Sequence, residues 1–256
     1  MPDVRDITFR TTTTGRRLPA FLARPDGDPA EPRPAVLVVH EMMGLNDDIR
    51  RIATVFADHG YVALAPDLLG AGWKPLCIAR FFQGLGKAGT GRPYREMAAF
   101  QDWLAKQPYV DAGRIGMAGF CAGGGFAMLY AARGGRDLRA IAPFYGALPA
   151  DESIIPDLCP TVASYGGRDA SFGANGPLLE SALDAAGIPN DVKTYPDAGH
   201  SFMSEHPGVM GAIGPLMPMH AGFNKAASTD AWARVLTFFG EHLAALPGDG
   251  VAPAQG

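Results

Sequence analysis

Gly119-Phe120-Cys121-Ala122-Gly123 constrains this chain more than any other stretch. It has the form of a nucleophile elbow, a sharp strand-to-helix turn, with cysteine where serine is usual. Arg114-Ile115-Gly116-Met117-Ala118 before it read as a buried strand, and Ala122 to Arg133 after it as a helix. A turn this sharp holds its central residue in a strained conformation. Side chains at its flanks would collide with the neighbouring strand and helix, so glycine is wanted two residues before and two after. The helix N-terminus behind the thiol favours negative charge, which predicts a stabilised thiolate and a place for an oxyanion. The alternative is an inert cysteine packed at the turn.

Strands alternate with helices around the elbow. Ile7–Arg10 and Leu18–Leu22 flank a Thr-rich turn closed by Gly15 and read as an antiparallel pair. Residues 25–34, with four prolines, are a loop. Ala35-Val36-Leu37-Val38-Val39 is a continuous apolar run, as in a strand buried on both faces. Ile49, Ile52, Ala53 and Phe56 follow at helical spacing, with Asn46 or Asp47 as cap and Gly60 as stop. Tyr61–Ala65 is the next strand. Residues 68–92 are Gly-rich and give no clear element. Pro93 opens a helix with Met97, Phe100 and Leu104 on one face. Beyond the elbow, Arg139–Tyr145, Thr161–Tyr165 and Asp191–Tyr195 read as strands and residues 176–186 as a helix. A last helix begins near Ser228 with Trp232, Val235, Leu236, Phe239 and Leu243 on one stripe. This pattern predicts an α/β class protein, a mostly parallel central sheet with helices on both faces. No repeat or linker divides it, so residues 1–256 read as one domain, with 203–227 as a candidate lid and 247–256 as a frayed tail.

A net charge of −4 and a pI near 5.8 supply no basic field for nucleic acid or an anionic membrane surface. No apolar run is long enough to span a bilayer, and the first residues lack a signal-peptide pattern. Cys77, Cys121 and Cys159 are too few, and odd in number, for a disulfide framework. A cytoplasmic setting is therefore expected, with Cys121 reduced. The expected partner is a small molecule, and the expected state a monomer or small homo-oligomer.

A thiol nucleophile needs a base, and the base an orienting acid. His200 lies in Asp197-Ala198-Gly199-His200-Ser201-Phe202, just after the last strand, and Asp169 directly follows the strand ending at Tyr165. Both fall on the elbow's edge of the sheet, where ligands bind in open parallel sheets. Asp197 is the rival acid. Its place three residues before the histidine better suits a turn, so Asp169 is preferred. His206, His220 and His242 fit less well, and His59 reads as a helix C-cap. The loop after the strand 35–39 should lie beside the elbow. That makes the N–H groups of Met42 and Ala122 the expected oxyanion donors and sets Glu41 near the thiol. His40-Glu41 lacks the second histidine that a zinc-binding helix needs. Gly84-Leu85-Gly86-Lys87-Ala88-Gly89 matches a dinucleotide fingerprint by letter, but no clear strand precedes it and no clear helix follows. No metal or organic cofactor is expected.

Together, Val38-Val39-His40-Glu41-Met42-Met43-Gly44, Ala65-Pro66-Asp67-Leu68, the elbow with Gly124, Gly167-Arg168-Asp169 and Ala198-Gly199-His200-Ser201-Phe202 resemble the dienelactone hydrolase family (carboxymethylenebutenolidase-like) of the α/β-hydrolase fold. The resemblance implies a Cys121–His200–Asp169 triad, with Glu41 pairing with the thiol and helping to form thiolate when substrate arrives. It implies a hydrolase of esters or lactones acting through an acyl-thioester. A thioesterase or broad carboxylesterase is the near alternative, and a non-catalytic small-molecule binder on the same scaffold the distant one. Family members acting on carboxylate-bearing lactones tend to place an arginine shortly after the histidine motif; here Met203-Ser204-Glu205 follows. Arg80, Phe202 and Met203 are the expected substrate contacts. Met203, Met210, Met217 and Met219 either line a soft apolar lid or pack on the sheet.

Overall fold

The computed structural model describes residues 1–11, 15–28, 30–70, 73–85, 91–133, 137–205 and 214–244. The described strands are β1 (Asp3–Arg10), β2 (Arg17–Arg24), β3 (Arg33–Val39), β4 (Val62–Pro66), β5 (Val110–Phe120), β6 (Ile141–Phe144), β7 (Thr161–Gly166) and β8 (Asn190–Tyr195). They form one sheet in the order β1-β2-β4-β3-β5-β6-β7-β8. β1 and β2 pair antiparallel, β2 joins β4 antiparallel, and β3 to β8 run parallel. This is the α/β-hydrolase fold.

Helices cover both faces. On one, α1 (Asp47–Asp58) and α6 (Lys225–His242) bury Ile52, Phe56, Val235 and Phe239 against Val36, Val38 and Phe120. On the other, α2 (Lys74–Leu85), α3 (Arg92–Ala105), α4 (Ala122–Arg133) and α5 (Asn175–Ala186) bury Phe81, Phe100, Phe126 and Leu179 against Leu37, Val39 and Met117. The full burial of β3 from Ala35 to Val39 explains its unbroken apolar run. Losing a fully buried ring such as Phe56 or Phe126 would cost about 3–5 kcal/mol.

Several element bounds differ from the sequence reading; β5, read from Arg114, begins at Val110, and β6, read from Arg139, begins at Ile141. α2 occupies the unassigned region; only Cys77 and Phe81 are buried among its described side chains, too few to print an amphipathic stripe. β1 begins at Asp3, because an edge strand with one neighbour tolerates Asp3, Arg5 and Asp6 on its exposed positions. α6 begins at Lys225, where the Asn224 side chain accepts the Ala227 N–H at 3.1 Å and caps the helix. For α1 the cap is Asn46, whose oxygen accepts the Ile49 N–H at 2.9 Å. Residues 86–89 of the glycine fingerprint, 206–213 of the lid segment and the 247–256 tail lie outside the described residues.

The elbow is where the packing is tightest. A Cβ on Gly119 would sit on the carbonyl oxygen of Gly123, and one on Gly123 would sit on that of Val39. These obstacles are backbone, which cannot swing aside. Gly123→Ala should therefore destabilise the fold by about 3 kcal/mol, the upper part of the usual overpacking range. Urea denaturation measures it, and an unchanged midpoint would contradict this packing.

Candidate active site

Strand register assembles the site. Val39 pairs with Gly119, so the loops after β3 and β5 emerge side by side at the carboxyl edge. The chain order reverses here, with β4 on one side of β3 and β5 on the other, and this is the crevice position of an open α/β sheet. One loop carries His40, Glu41 and Met42; the other carries Cys121. Phe120 pairs with Phe144, which sets Tyr145 at the same edge. Asp169 and His200 follow β7 and β8.

Cys121 has φ 54, in the left-handed region that a non-glycine residue enters only at a cost of about 1–3 kcal/mol. Its N–H donates to Phe144 O at 3.1 Å, and its carbonyl accepts the Gly124 N–H at 2.9 Å. Among the described residues, no hydrogen-bond acceptor meets the Met42 N–H. The Ala122 N–H opens α4 beside the sulfur.

His200 Nδ1 lies 2.6 Å from Asp169 Oδ2. The other carboxylate oxygen, Oδ1, accepts the N–H groups of Ser171 (2.9 Å) and Phe172 (3.2 Å), so the acid is held at both ends. Asp169 is buried while Asp197 is exposed, which separates the two candidate acids. The His200 ring is packed against Tyr145 and Phe172, with centroids 5.0 and 5.5 Å away. Its Nε2 is buried and has no hydrogen-bond partner among the described residues.

A second network joins the site. Ser204 Oγ donates to Glu41 Oε1 at 3.0 Å, and the Tyr145 hydroxyl lies 3.3 Å from the same Oγ. The Cys121 thiol is pushed up to about 12, first by burial and then by the nearby Glu41 carboxylate; the Ala122 N–H pulls the other way and loses. Burial and Glu41 thus oppose the stabilisation that the helix N-terminus offers a thiolate. Cys121, His200 and Glu41 share the wall of a cavity of about 660 Å³ with Met42, Met43 and Met219.

A dienelactone hydrolase family model matches residues 18–243. The chain belongs to the dienelactone hydrolase family. It is 30% identical over 243 residues to the Escherichia coli (strain K12) protein named "Putative carboxymethylenebutenolidase", covering 89% of this chain and 84% of that one. A protein of the same name from Yersinia pestis is 29% identical over 249 residues, covering 91% and 87%. Among solved structures, a dienelactone hydrolase-like promiscuous phosphotriesterase from metagenomic libraries superimposes with a TM-score of 0.77 at 25% identity, covering 93% of this chain and 98% of the other.

Not every expected contact of this dienelactone hydrolase family member reaches the cavity. Phe202 is fully buried against Tyr145 and Tyr195, and Met203 is equally buried in the core behind the site. The turn after His200 folds both inward. Arg80 stands exposed on α2, close enough to oppose the charge of Arg92, and outside the cavity lining. Met219 lines the cavity, whereas Met217 is exposed. His220 faces Arg168, and His242 packs on Phe238. His59 closes α1, its Nδ1 2.8 Å from Val55 O. Among the described residues, no group of three or more His, Cys, Asp or Glu clusters as a metal site requires. No described helix is long and apolar enough to cross a membrane.

Sequence reasoning missed Ser204, Tyr145 and His40. The first two carry no motif, because their meeting depends on the turn after His200. His40 is fully buried, its Nδ1 2.7 Å from Glu41 O, while its Nε2 accepts the Leu68 N–H at 3.0 Å. Nδ1 must therefore carry the hydrogen and donate to Glu41 O. A neutral ring fixes the backbone that presents Glu41 and Met42. Burial lowers its pKa, outweighing Asp67.

Two predictions follow from these charges. Alkylation of Cys121 by iodoacetamide should rise with pH without a plateau through pH 9, and Glu41→Gln should speed it at fixed pH by removing the opposing charge. Timed mass spectrometry reads both; a plateau near neutrality would mean a resting thiolate. For His40, the unfolded imidazole takes a proton below about pH 6.5 while the buried one resists. Stability from this group is present above that pH and falls as pH drops, by at most about 1.4 kcal/mol per unit. Thermal melts of the wild type and His40→Gln should show a shallower acid slope in the variant.

Proposed function

We propose that the protein hydrolyses small carboxylic esters or lactones by covalent catalysis, with Cys121, His200 and Asp169 as the triad. The observation that carries this reading is the buried, unpartnered Nε2 of His200, sharing a cavity wall with the Cys121 thiol while Asp169 holds the opposite ring nitrogen. A buried polar atom without a partner costs free energy, and a reacting proton is a reason to keep one. The family membership and the curated relatives' names support the same substrate class.

The sequence of steps follows from the neutral thiol. His200 Nε2 takes the thiol proton as the sulfur attacks the carbonyl carbon. The carbonyl oxygen becomes an oxyanion received by the N–H groups of Met42 and Ala122. The intermediate collapses, the C–O bond breaks, and the alkoxide leaves with the proton from His200; in a lactone it stays tethered. A water then gives its proton to His200 and attacks the thioester carbon. The acid departs and the sulfur regains its proton. Asp169 keeps the ring in one tautomer and stabilises the imidazolium. Glu41 keeps the sulfur protonated at rest and is the second group able to accept its proton once substrate displaces solvent.

Cys121→Ala should lower ester turnover about 10⁴-fold or more while leaving the fold intact. Asp169→Asn should lower kcat by about 10³–10⁴-fold, as the ring loses its tautomer. Aryl-ester assays with mass spectrometry for an acyl adduct of the size of the substrate acid test both. Turnover retained in Cys121→Ala would reject covalent cysteine catalysis.

A further inference from the structure

We infer that the cavity rejects substrates carrying a negative charge and takes neutral or cationic esters with an apolar acyl chain. This specificity rests on the hydrolase reading above and deepens it. Among the described residues, the charged groups lining the cavity are Glu41, Asp47, Asp48, Glu205 and Arg51: four carboxylates against one guanidinium.

The single lining cation is paired through two of its three nitrogens. Arg51 donates to Asp48 Oδ1 from Nε (2.9 Å) and from Nη2 (2.7 Å), and Nη2 also donates to Met203 O at 2.9 Å. Glu205 Oε1 stands a further 3.9 Å from its Nε. The other positive element is the N-terminus of α1, and it too is filled. Asn46 caps it and Asp47 and Asp48 occupy its first turn. A carboxylate on the substrate would find no free cation there among the described residues. It would meet Glu205, more than half exposed, and Asp47, which is exposed and only loosely paired at 3.4 Å with Arg50, a residue outside the cavity lining.

Deeper in, Glu41 is 7% exposed and lies close enough to the Cys121 sulfur to oppose its ionisation. His200, whose Nε2 is buried and without a partner among the described residues, lines the same cavity. Met42, Met43, Met219 and Ala221 give the wall its apolar part, beside the polar Asn46 and Ser201, so a substrate chain finds adaptable apolar contacts. A cleft in which carboxylates outnumber cations focuses a net negative field on anything entering.

The test compares p-nitrophenyl hexanoate with the matched monoadipate and trimethylammoniohexanoate esters at low and high salt. The expected kcat/KM for the hexanoate exceeds that for the monoadipate by roughly tenfold or more at low salt. The cationic ester equals or exceeds the hexanoate, and high salt narrows both gaps. Glu205→Arg should raise the monoadipate relative to the hexanoate about tenfold, and Glu205→Gln should move it the same way by less. Equal or better turnover of the monoadipate at low salt overturns the inference and leaves the hydrolase reading standing. If no ester is turned over, the hydrolase reading fails, and charge selection is then decided by alkylation of Cys121. Its iodoacetamide-to-iodoacetate rate ratio, divided by that of glutathione, should be roughly ten or more. A ratio at or below one overturns the inference.

Discussion

The site depends on a contact between backbones. With no Cβ on Gly119 or Gly123, α4 starts directly against the carbonyl end of β3, and Cys121 is forced to φ 54. That strain of about 1–3 kcal/mol survives only because what surrounds it is over-determined. β3 is fully buried from Ala35 to Val39, and Phe120 stacks on Phe144 at 4.7 Å with nearly parallel planes. Once the turn is fixed, register does the rest. Val39 beside Gly119 brings Glu41 to Cys121, and Phe120 beside Phe144 brings Tyr145. The same close approach that fits the helix to the sheet also delivers the chemistry.

Burial then decides the state of the sulfur. A helix N-terminus stabilises an anion by about 1 kcal/mol. One pKa unit corresponds to about 1.4 kcal/mol, so moving the thiol from 9.0 to about 12 lies well beyond what the helix can oppose. Desolvation and the Glu41 carboxylate win, and the resting site holds a thiol. A neutral sulfur is slow to react with adventitious electrophiles and oxidants. The proposed reaction would then begin with a proton transfer, for which His200 Nε2, without a partner among the described residues, is the acceptor the proposal names.

Much of this was legible from residue order. The elbow glycines, the apolar run of β3 and the periodicity of α1 and α3 are local signals, and each names its element directly. Asp169 and His200 were readable because their strands end just before them. What stayed hidden was non-local or electrostatic. α2 buries only two of its described side chains and so leaves no periodic trace. Phe202 and Met203 follow His200 in sequence, but a turn through Ser201 at φ 54 sends them into the core. The motif places a thiol at a helix N-terminus; it does not state how deep that thiol lies or which carboxylate faces it. Those depend on distances between loops that sequence spacing does not encode.

The turn at 201–205 explains why the cavity's charges are internally committed. Three of the bonds that tie it to its surroundings involve cavity-lining side chains: Arg51 to Met203 O, the Glu205 N–H to Asp48 Oδ1 at 3.2 Å, and Ser204 Oγ to Glu41 Oε1. Each uses a group that could otherwise meet a ligand. The segment that presents His200 thereby also ties α1 and the loop after β3 together. A site assembled this way is pre-organised, so little ordering entropy remains to be lost when substrate enters. The same bonds hold Glu41 as fixed negative charge beside the thiol, while Asp48 is tied to Arg51. Rigidity and charge selectivity thus have one structural origin, the hydrogen bonds that anchor residues 201–205.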